Sequence, residues 1–282
     1  MPLFHVHGLM AGLLAPLISG GSIIIPSRFS AKDFWDDFTS NYANWYTAVP
    51  TIHQILLNNP IPSPPPKIRF IRSCSSPFSP LICRELESKL GAPVLEAYAM
   101  TEAAHQISSN PLPPAMRKPG TVGVPQSVEL KIMDSEGSDV PTGTKGEICI
   151  RGENVTEGYY HNPVANKTAF FAGGFFRTGD QGMLDVDGYV TITGRLKELI
   201  NKGGEKVSPI DLDNLYIQHP AVAEAVSFAM DDTLYGQDIG VAVVLKDGEQ
   251  FDSQVFKIWV AERAVKFKIP KEVSIYLQHP GC

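Results

Sequence analysis

A chain of 282 residues, 43% hydrophobic and 19% charged, has the composition of a globular protein with room for one large domain or two ordinary ones. Its net charge of −6 argues against the basic face that nucleic-acid binding requires, so no nucleic-acid partner is expected. Cys74, Cys83, Cys149 and Cys282 have neither CxxC nor metal-ligand spacing, which fits free thiols in a reducing compartment.

The first apolar run, GLMAGLLAPLISGGSIIIP at 8–26, has no Lys or Arg ahead of it, unlike a signal peptide. Pro16 and the Gly20–Gly21 pair would break a membrane helix, so no membrane span is expected. The predicted elements here are a buried helix, a glycine turn and a buried strand at 22–25. Ser30 is placed to cap a helix running to about Asn44, with Phe34, Phe38 and Tyr42 on one face. Strands follow at 45–49, 68–73 and 93–97. Between them lie a short helix at 51–58, a Pro-rich surface loop, and a helix opened by Ser79–Pro80 and closed by Gly91. This order implies a parallel sheet covered by helices.

In such sheets ligands lie beyond the carboxyl ends of strands. Two polar stretches fall there, SCSSP at 73–77 and YAMTEAAHQ at 98–106. The small residues at 73–76 would admit a planar base or a small acid. Thr101 offers a hydroxyl to a phosphate oxygen and Glu102 a hard oxygen ligand to Mg2+. The same pair would also serve as a cap at a helix start.

From about Pro119 the texture changes to short alternating runs at 128–134, 146–152 and 188–194, which predict a compact β-barrel or sandwich-like subdomain. After Arg195 come glycine turns, a helix at about 209–218, strands at 221–230 and 239–246, and an amphipathic helix at 253–267. That is a small α+β domain. The stretch 176–209 joins the two. FRTGD places Asp180 on a Thr-Gly turn, where a carboxylate can accept hydrogen bonds from two ribose hydroxyls. Arg195, Lys197, Lys202 and Lys206 follow as cations for a polyphosphate. RTGD is also good turn chemistry in its own right.

PLFHVHGL, YAMTE, GTVGVP, GEICIRGENVTEGYYHNP, FRTGD and GRLKELINKGGEKVSP occur in that order. Over 2–271 the chain resembles the adenylate-forming acyl-CoA synthetase superfamily, the AMP-binding enzymes. SCSSP and YAMTEAAHQISSNPLPP look most like the oxalate–CoA ligases and less like 4-coumarate–CoA or fatty-acid ligases. The resemblance implies an α/β fold. Its parts would be a partial large AMP-binding domain at 1–193 (α/β over 1–115, β-rich over 116–193), a hinge at 194–198 and a small α+β domain at 199–282.

It also implies a two-step reaction, with Mg2+ as cofactor and ATP and CoA as co-substrates. A carboxylate attacks the α-phosphate of ATP to give an acyl-adenylate and pyrophosphate, and the CoA thiol then attacks the activated carbonyl. Position by position, Glu96, Ala97 and Tyr98 would flank the adenine, Thr101 would hold phosphate and Glu102 the Mg2+. Asp180 and Arg195 would hold the ribose, Lys197 would be the hinge, and Gly203, Gly204 and Lys206 would face CoA. His5 falls at the family's acyl-pocket gate. Oxalate leaves a second carboxylate that is costly to bury unpaired, and His5, His105, Ser73, Ser75 and Ser76 can donate hydrogen bonds to it. The alternatives are a core histidine at His5, a helix-surface histidine at His105, and a buried filler or a reactive thiol at Cys74.

Two family parts have no counterpart in the 282 residues: the phosphate loop upstream of PLFHVHGL and the TGK lysine downstream of KFKIPK. The expectation is therefore a piece of an acid–CoA ligase with little adenylation activity by itself. The alternative is a non-catalytic remnant that binds nucleotide or a partner. Sheet edges and core faces within 1–110 are expected to be exposed. With PGC in place of an SKL-type ending, the default compartment is the cytosol.

Overall fold

The computed structural model describes residues 1–276; Cys282 and the PGC ending lie outside the described residues. The chain divides into two units, Met1–Thr178 with Gly182–Ile192, and Gly179–Gln181 with Thr193 onward.

The first unit opens with a π-helical segment, His7–Leu14, that runs into α1 (Ala15–Ile18). Of these residues only His7, Gly8 and Pro16 are buried, so the helix is less enclosed than its apolar sequence suggests. The strand expected at 22–25 does not form, and Ile24 and Ile25 are exposed. β-branched residues favour an extended chain, but a strand also needs a ladder partner, and none pairs with this run among the described residues. Helix α2 (Phe34–Ser40) is shorter than predicted: Tyr42 lies beyond its end at φ 57° and is exposed.

From there strand and helix alternate: β1 (Trp45–Ala48), α3 (Pro50–Leu57), β2 (Phe70–Ser73), α4 (Pro80–Leu90) and β3 (Val94–Tyr98). β1, β2 and β3 pair in parallel, with Ala48 opposite Ser73 and Ser73 opposite Glu96. β4 (Ser108–Ser109) pairs antiparallel with β3, and β5 (Val124–Pro125) antiparallel with β4, extending this sheet. Gly91 ends α4 at φ 62°, the left-handed cap its sequence predicts. Trp35, Phe38, Leu56, Ile71, Leu86 and Val94 form the core of this part.

The β-rich part consists of β6 (Glu129–Met133), β7 (Gly146–Arg151), β8 (Phe170–Phe171), β9 (Phe175–Leu184) and β10 (Val190–Arg195), hydrogen-bonded in the order β10-β9-β7-β6 with β8 on β9. Between β7 and β8 lies α5 (Pro163–Ala169), capped by the Asn162 side chain. Inward residues Leu130, Ile132, Ile148, Ile150, Phe176 and Val190 make a second core.

In the second unit β11 (Ile200–Lys202) and β12 (Glu205–Val207) form a hairpin in which Lys202 pairs with Glu205. Gly203 (φ 61°) and Gly204 (φ 95°) are its two turn residues, and both need the left-handed region. α6 (Pro209–Tyr216) is capped by Ser208, and β13 (Val222–Asp232), β14 (Gly236–Leu245), α7 (Ser253–Ala261) and β15 (Glu272–Tyr276) follow. The sheet order is β12-β11-β14-β13 with β15 parallel to β14, over a core of Ile200, Leu212, Tyr216, Ile239 and Phe256.

One glycine ties the two sheets of the first unit. Gly123 accepts a hydrogen bond from Val190, and a Cβ placed on it would lie 1.9 Å from the Ser109 carbonyl carbon at φ +76°. Gly143 has a similar φ of +80° but open space around it. Gly123→Ala should therefore cost about 3 kcal/mol or more, and Gly143→Ala only about 1 kcal/mol. Urea denaturation of both variants reads this, and equal losses would contradict it.

Candidate active site

The carboxyl ends of β1 and β2 meet the start of the chain in a polar cluster of the first unit. His7 is fully buried: its Nδ1 lies 3.0 Å from Ser75 Oγ and its Nε2 2.6 Å from Thr47 Oγ1. Its ring stacks on that of His105 at 5.0 Å between centroids. Arg72, on β2 and 9% exposed, reaches His7 Nε2 at 3.5 Å and donates to Gln106 Oε1 at 3.1 Å. No carboxylate pairs with Arg72 among the described residues. A buried guanidinium surrounded only by neutral acceptors retains an unmatched positive charge. Burial, and next the Arg72 charge, hold His7 down at about 3 and His105 at about 4, so both rings are neutral at pH 7. Ser73 Oγ and His105 Nε2 are buried without a hydrogen-bond partner among the described residues.

His105 reaches this cluster through unusual backbone. After the 3-10 turn Thr101–Ala103, Ala104 (φ 46°) and His105 (φ 80°) both take the left-handed region. That reversal turns the imidazole inward instead of onto a helix surface. Thr101 is exposed, and Glu102 is half-buried with Oε1 accepting from the Tyr159 hydroxyl at 2.9 Å. Among the described residues no side chain caps the turn. On β3, Glu96, Ala97 and Tyr98 are all buried. Glu96 Oε1 accepts from the Gly120 N–H at 2.9 Å, and Tyr98 packs in the core with Ala103 and Ile107.

Within the second unit, Asp180 Oδ1 lies 3.2 Å from Arg195 Nε, the Asp180 side chain 10% exposed and that of Arg195 67%. Asp180 does not sit on a turn as its sequence suggests. It lies inside β9, because Gly179 (φ 75°) absorbs the local kink without ending the strand. Lys197 lies in the exposed turn between β10 and β11. Lys206 pairs with Asn201 across the β11–β12 hairpin.

Comparison with known proteins decides the family. The AMP-binding enzyme model matches residues 1–160, and the AMP-binding enzyme C-terminal domain matches residues 211–280. The chain belongs to the AMP-binding enzyme family. An oxalate–CoA ligase of Saccharomyces cerevisiae is 52% identical over 97% of this chain and 50% of its own length. One of Arabidopsis thaliana is 50% identical over 98% of this chain and 54% of its own. The chain thus spans about half the length of the curated relatives it matches. Among solved structures, ATP-bound MatB from Rhodopseudomonas palustris superimposes with a TM-score of 0.93 at 32% identity, covering 99% of this chain and 56% of that one.

For an AMP-binding enzyme the polar cluster is the instructive part. Of the residues named for an acid, the fold brings together Ser75 and His105, adding His7, Thr47, Arg72 and Gln106. His5 stands at the edge of the cluster: it is exposed, its Nδ1 accepts from the His7 N–H at 3.1 Å, and its charge acts on both His7 and His105. Two histidines two residues apart look alike in sequence. Only the helical turn starting at His7 decides which one points inward. Arg72 alternates with Ile71 and Ser73 on β2 and could have been flagged as a charged residue in a buried strand.

Burial raises the Glu96 carboxyl to about 7, although the Gly120 hydrogen bond opposes the rise. Its ordinary value is near 4.5, so the folded chain binds the extra proton between about 4.5 and 7. Stability therefore falls as pH rises through that window and stays lower above it. Glu96→Gln should flatten the stability difference between pH 5 and pH 8 by about 2–3 kcal/mol in urea titrations. An unchanged pH dependence would contradict it.

Proposed function

We propose that the protein is an ATP-dependent acid–CoA ligase that works through an acyl-adenylate on oxalate or a similarly small dicarboxylic acid. The observation that carries this reading is Arg72, a buried cation with no anionic partner among the described residues. A second carboxylate would supply the missing charge, with the unpartnered His105 Nε2 and Ser73 hydroxyl donating around it. A 4-coumarate-like or fatty acid would instead leave Arg72 buried against hydrocarbon. The oxalate–CoA ligase relatives support the same acid.

The acid's free carboxylate attacks the α-phosphate, pyrophosphate leaves, and the CoA thiol displaces AMP from the acyl carbon. Thr101, exposed at its turn, donates its hydroxyl to a phosphate oxygen. Glu102 offers an oxygen to Mg2+. No group of three or more His, Cys, Asp or Glu among the described residues could cage a metal, which suits an ion bound mainly by nucleotide phosphates. When bound, the ion supplies neutralisation of phosphate charge. Glu96, Ala97 and Tyr98, buried on β3, stand beside the adenine. In the second unit Asp180 accepts from ribose hydroxyls and Arg195 orients it. Lys197 is the pivot of the 194–198 hinge between domains 1–193 and 199–282, and Gly203, Gly204 and Lys206 face CoA. Free, buried Cys74, Cys83 and Cys149 suit the cytosol, and no helix among the described residues is long and apolar enough to cross a membrane.

Isothermal titration of oxalate, malonate, acetate, octanoate and 4-coumarate in the presence of AMP tests the acid. Oxalate should bind most tightly. Arg72→Met should weaken it by about 30-fold or more while leaving the unliganded fold equally or more stable, because an uncompensated buried charge is removed. Tighter binding of octanoate or 4-coumarate, or an unchanged oxalate affinity in Arg72→Met, would overturn the substrate assignment.

A further inference from the structure

The segment 152–166 grips the turn that presents Glu102. The Asn154 side-chain amide donates to the Ala103 and Gln106 carbonyls, both at 2.8 Å, and the Thr156 N–H donates to the Glu102 carbonyl at 2.7 Å. Tyr159 then takes the Glu102 side chain itself, its hydroxyl donating to Oε1 at 2.9 Å. Tyr159 is held in turn. Asn166, on α5, accepts from its N–H at 2.7 Å and donates to its carbonyl at 2.9 Å. Its ring lies 6.4 Å from that of the buried Phe176. A side chain at Gly158 would press on Asn166, since a Cβ there lies 3.1 Å from Oδ1 at φ +147°. The adjacent Tyr160 makes the contrast: it is 89% exposed, with its ring 4.0 Å from that of His161.

We infer that Tyr159 is a positioning residue that fixes the Glu102 carboxylate, engaging Oε1 and leaving Oε2 for the cation of a metal–nucleotide complex. This rests on the reading of Glu102 as the cation-bearing carboxylate. A half-buried glutamate with no partner still samples several rotamers, and a ligand that must be ordered on binding costs affinity. Tyr159 removes that cost beforehand. The grip at 154–156 does the same for the backbone, so one segment sets both the cation-facing Glu102 and the acid-facing turn at Gln106. In metal sites, loss of a hydrogen bond to a ligating group costs about 10- to 100-fold in metal affinity or activity, and an exposed site with one carboxylate belongs at the low end.

The test uses the full 282-residue chain and two probes: Mn2+·ATP, followed by the electron paramagnetic resonance signal of free Mn2+, and Mg2+-free AMP by isothermal titration. Tyr159→Phe should weaken Mn2+·ATP binding about tenfold and leave metal-free AMP affinity unchanged. Glu102→Gln should weaken Mn2+·ATP at least as much, and adding Tyr159→Phe to it should cost nothing further. A merely structural tyrosine would lower both affinities together, or would add its full effect on the Glu102→Gln background; either result overturns the inference. Unchanged Mn2+·ATP binding by Tyr159→Phe, with a wild type that binds, overturns the positioning role alone. A wild type that binds neither probe overturns the nucleotide reading, and this inference falls with it.

Discussion

A guanidinium that is always charged and almost wholly buried dominates the candidate site. Arg72 sits at the carboxyl end of a parallel strand with two neutral acceptors for company, a glutamine oxygen and an imidazole nitrogen. Such a charge is stable only if something offsets its lost hydration, and hydrogen bonds to neutral groups do so incompletely. Its positive field helps keep His7 and His105 neutral, after burial itself. The cluster thus holds one fixed cation, two neutral rings and several hydroxyls, a set that discriminates by charge and size more than by apolar contact.

That chemistry depends on how the chain delivers each group. Parallel pairing in register puts Ala48 beside Ser73 and Ser73 beside Glu96, so the residues that follow these strands emerge at one edge. His105 arrives through two consecutive left-handed residues and Ser75 through one, at φ 78°. Backbone of this kind persists only where surrounding contacts hold it, and the Asn154 amide provides two such contacts on the same turn.

The alternation of strand and helix over the first hundred residues was readable because β-branched runs, Pro50, Pro80 and Gly91 punctuate it plainly. The alternating strands of the β-rich part were readable for the same reason. The isoleucines at 23–25 misled, since propensity alone does not make a strand without a partner. Asp180 was readable as a chemical group but misplaced on a turn, because a glycine at positive φ inside a strand looks like a turn in sequence. Ser75 and His105 were legible as acid-facing groups. His7, Thr47 and Arg72 were less so, because their proximity spans up to 65 residues of sequence and depends on the sheet register. The buried Lys202–Asp238 ion pair of the second unit escaped detection on the same ground.

The most direct measurement follows the histidine ring signals in nuclear magnetic resonance as oxalate is added, with acetate as the control. The charge-matching role of Arg72 predicts that the His7 and His105 signals move together with oxalate, that acetate moves them far less, and that Arg72→Met abolishes the response. Equal responses to acetate and oxalate, or shifts confined to histidines outside the cluster such as His219, would contradict it.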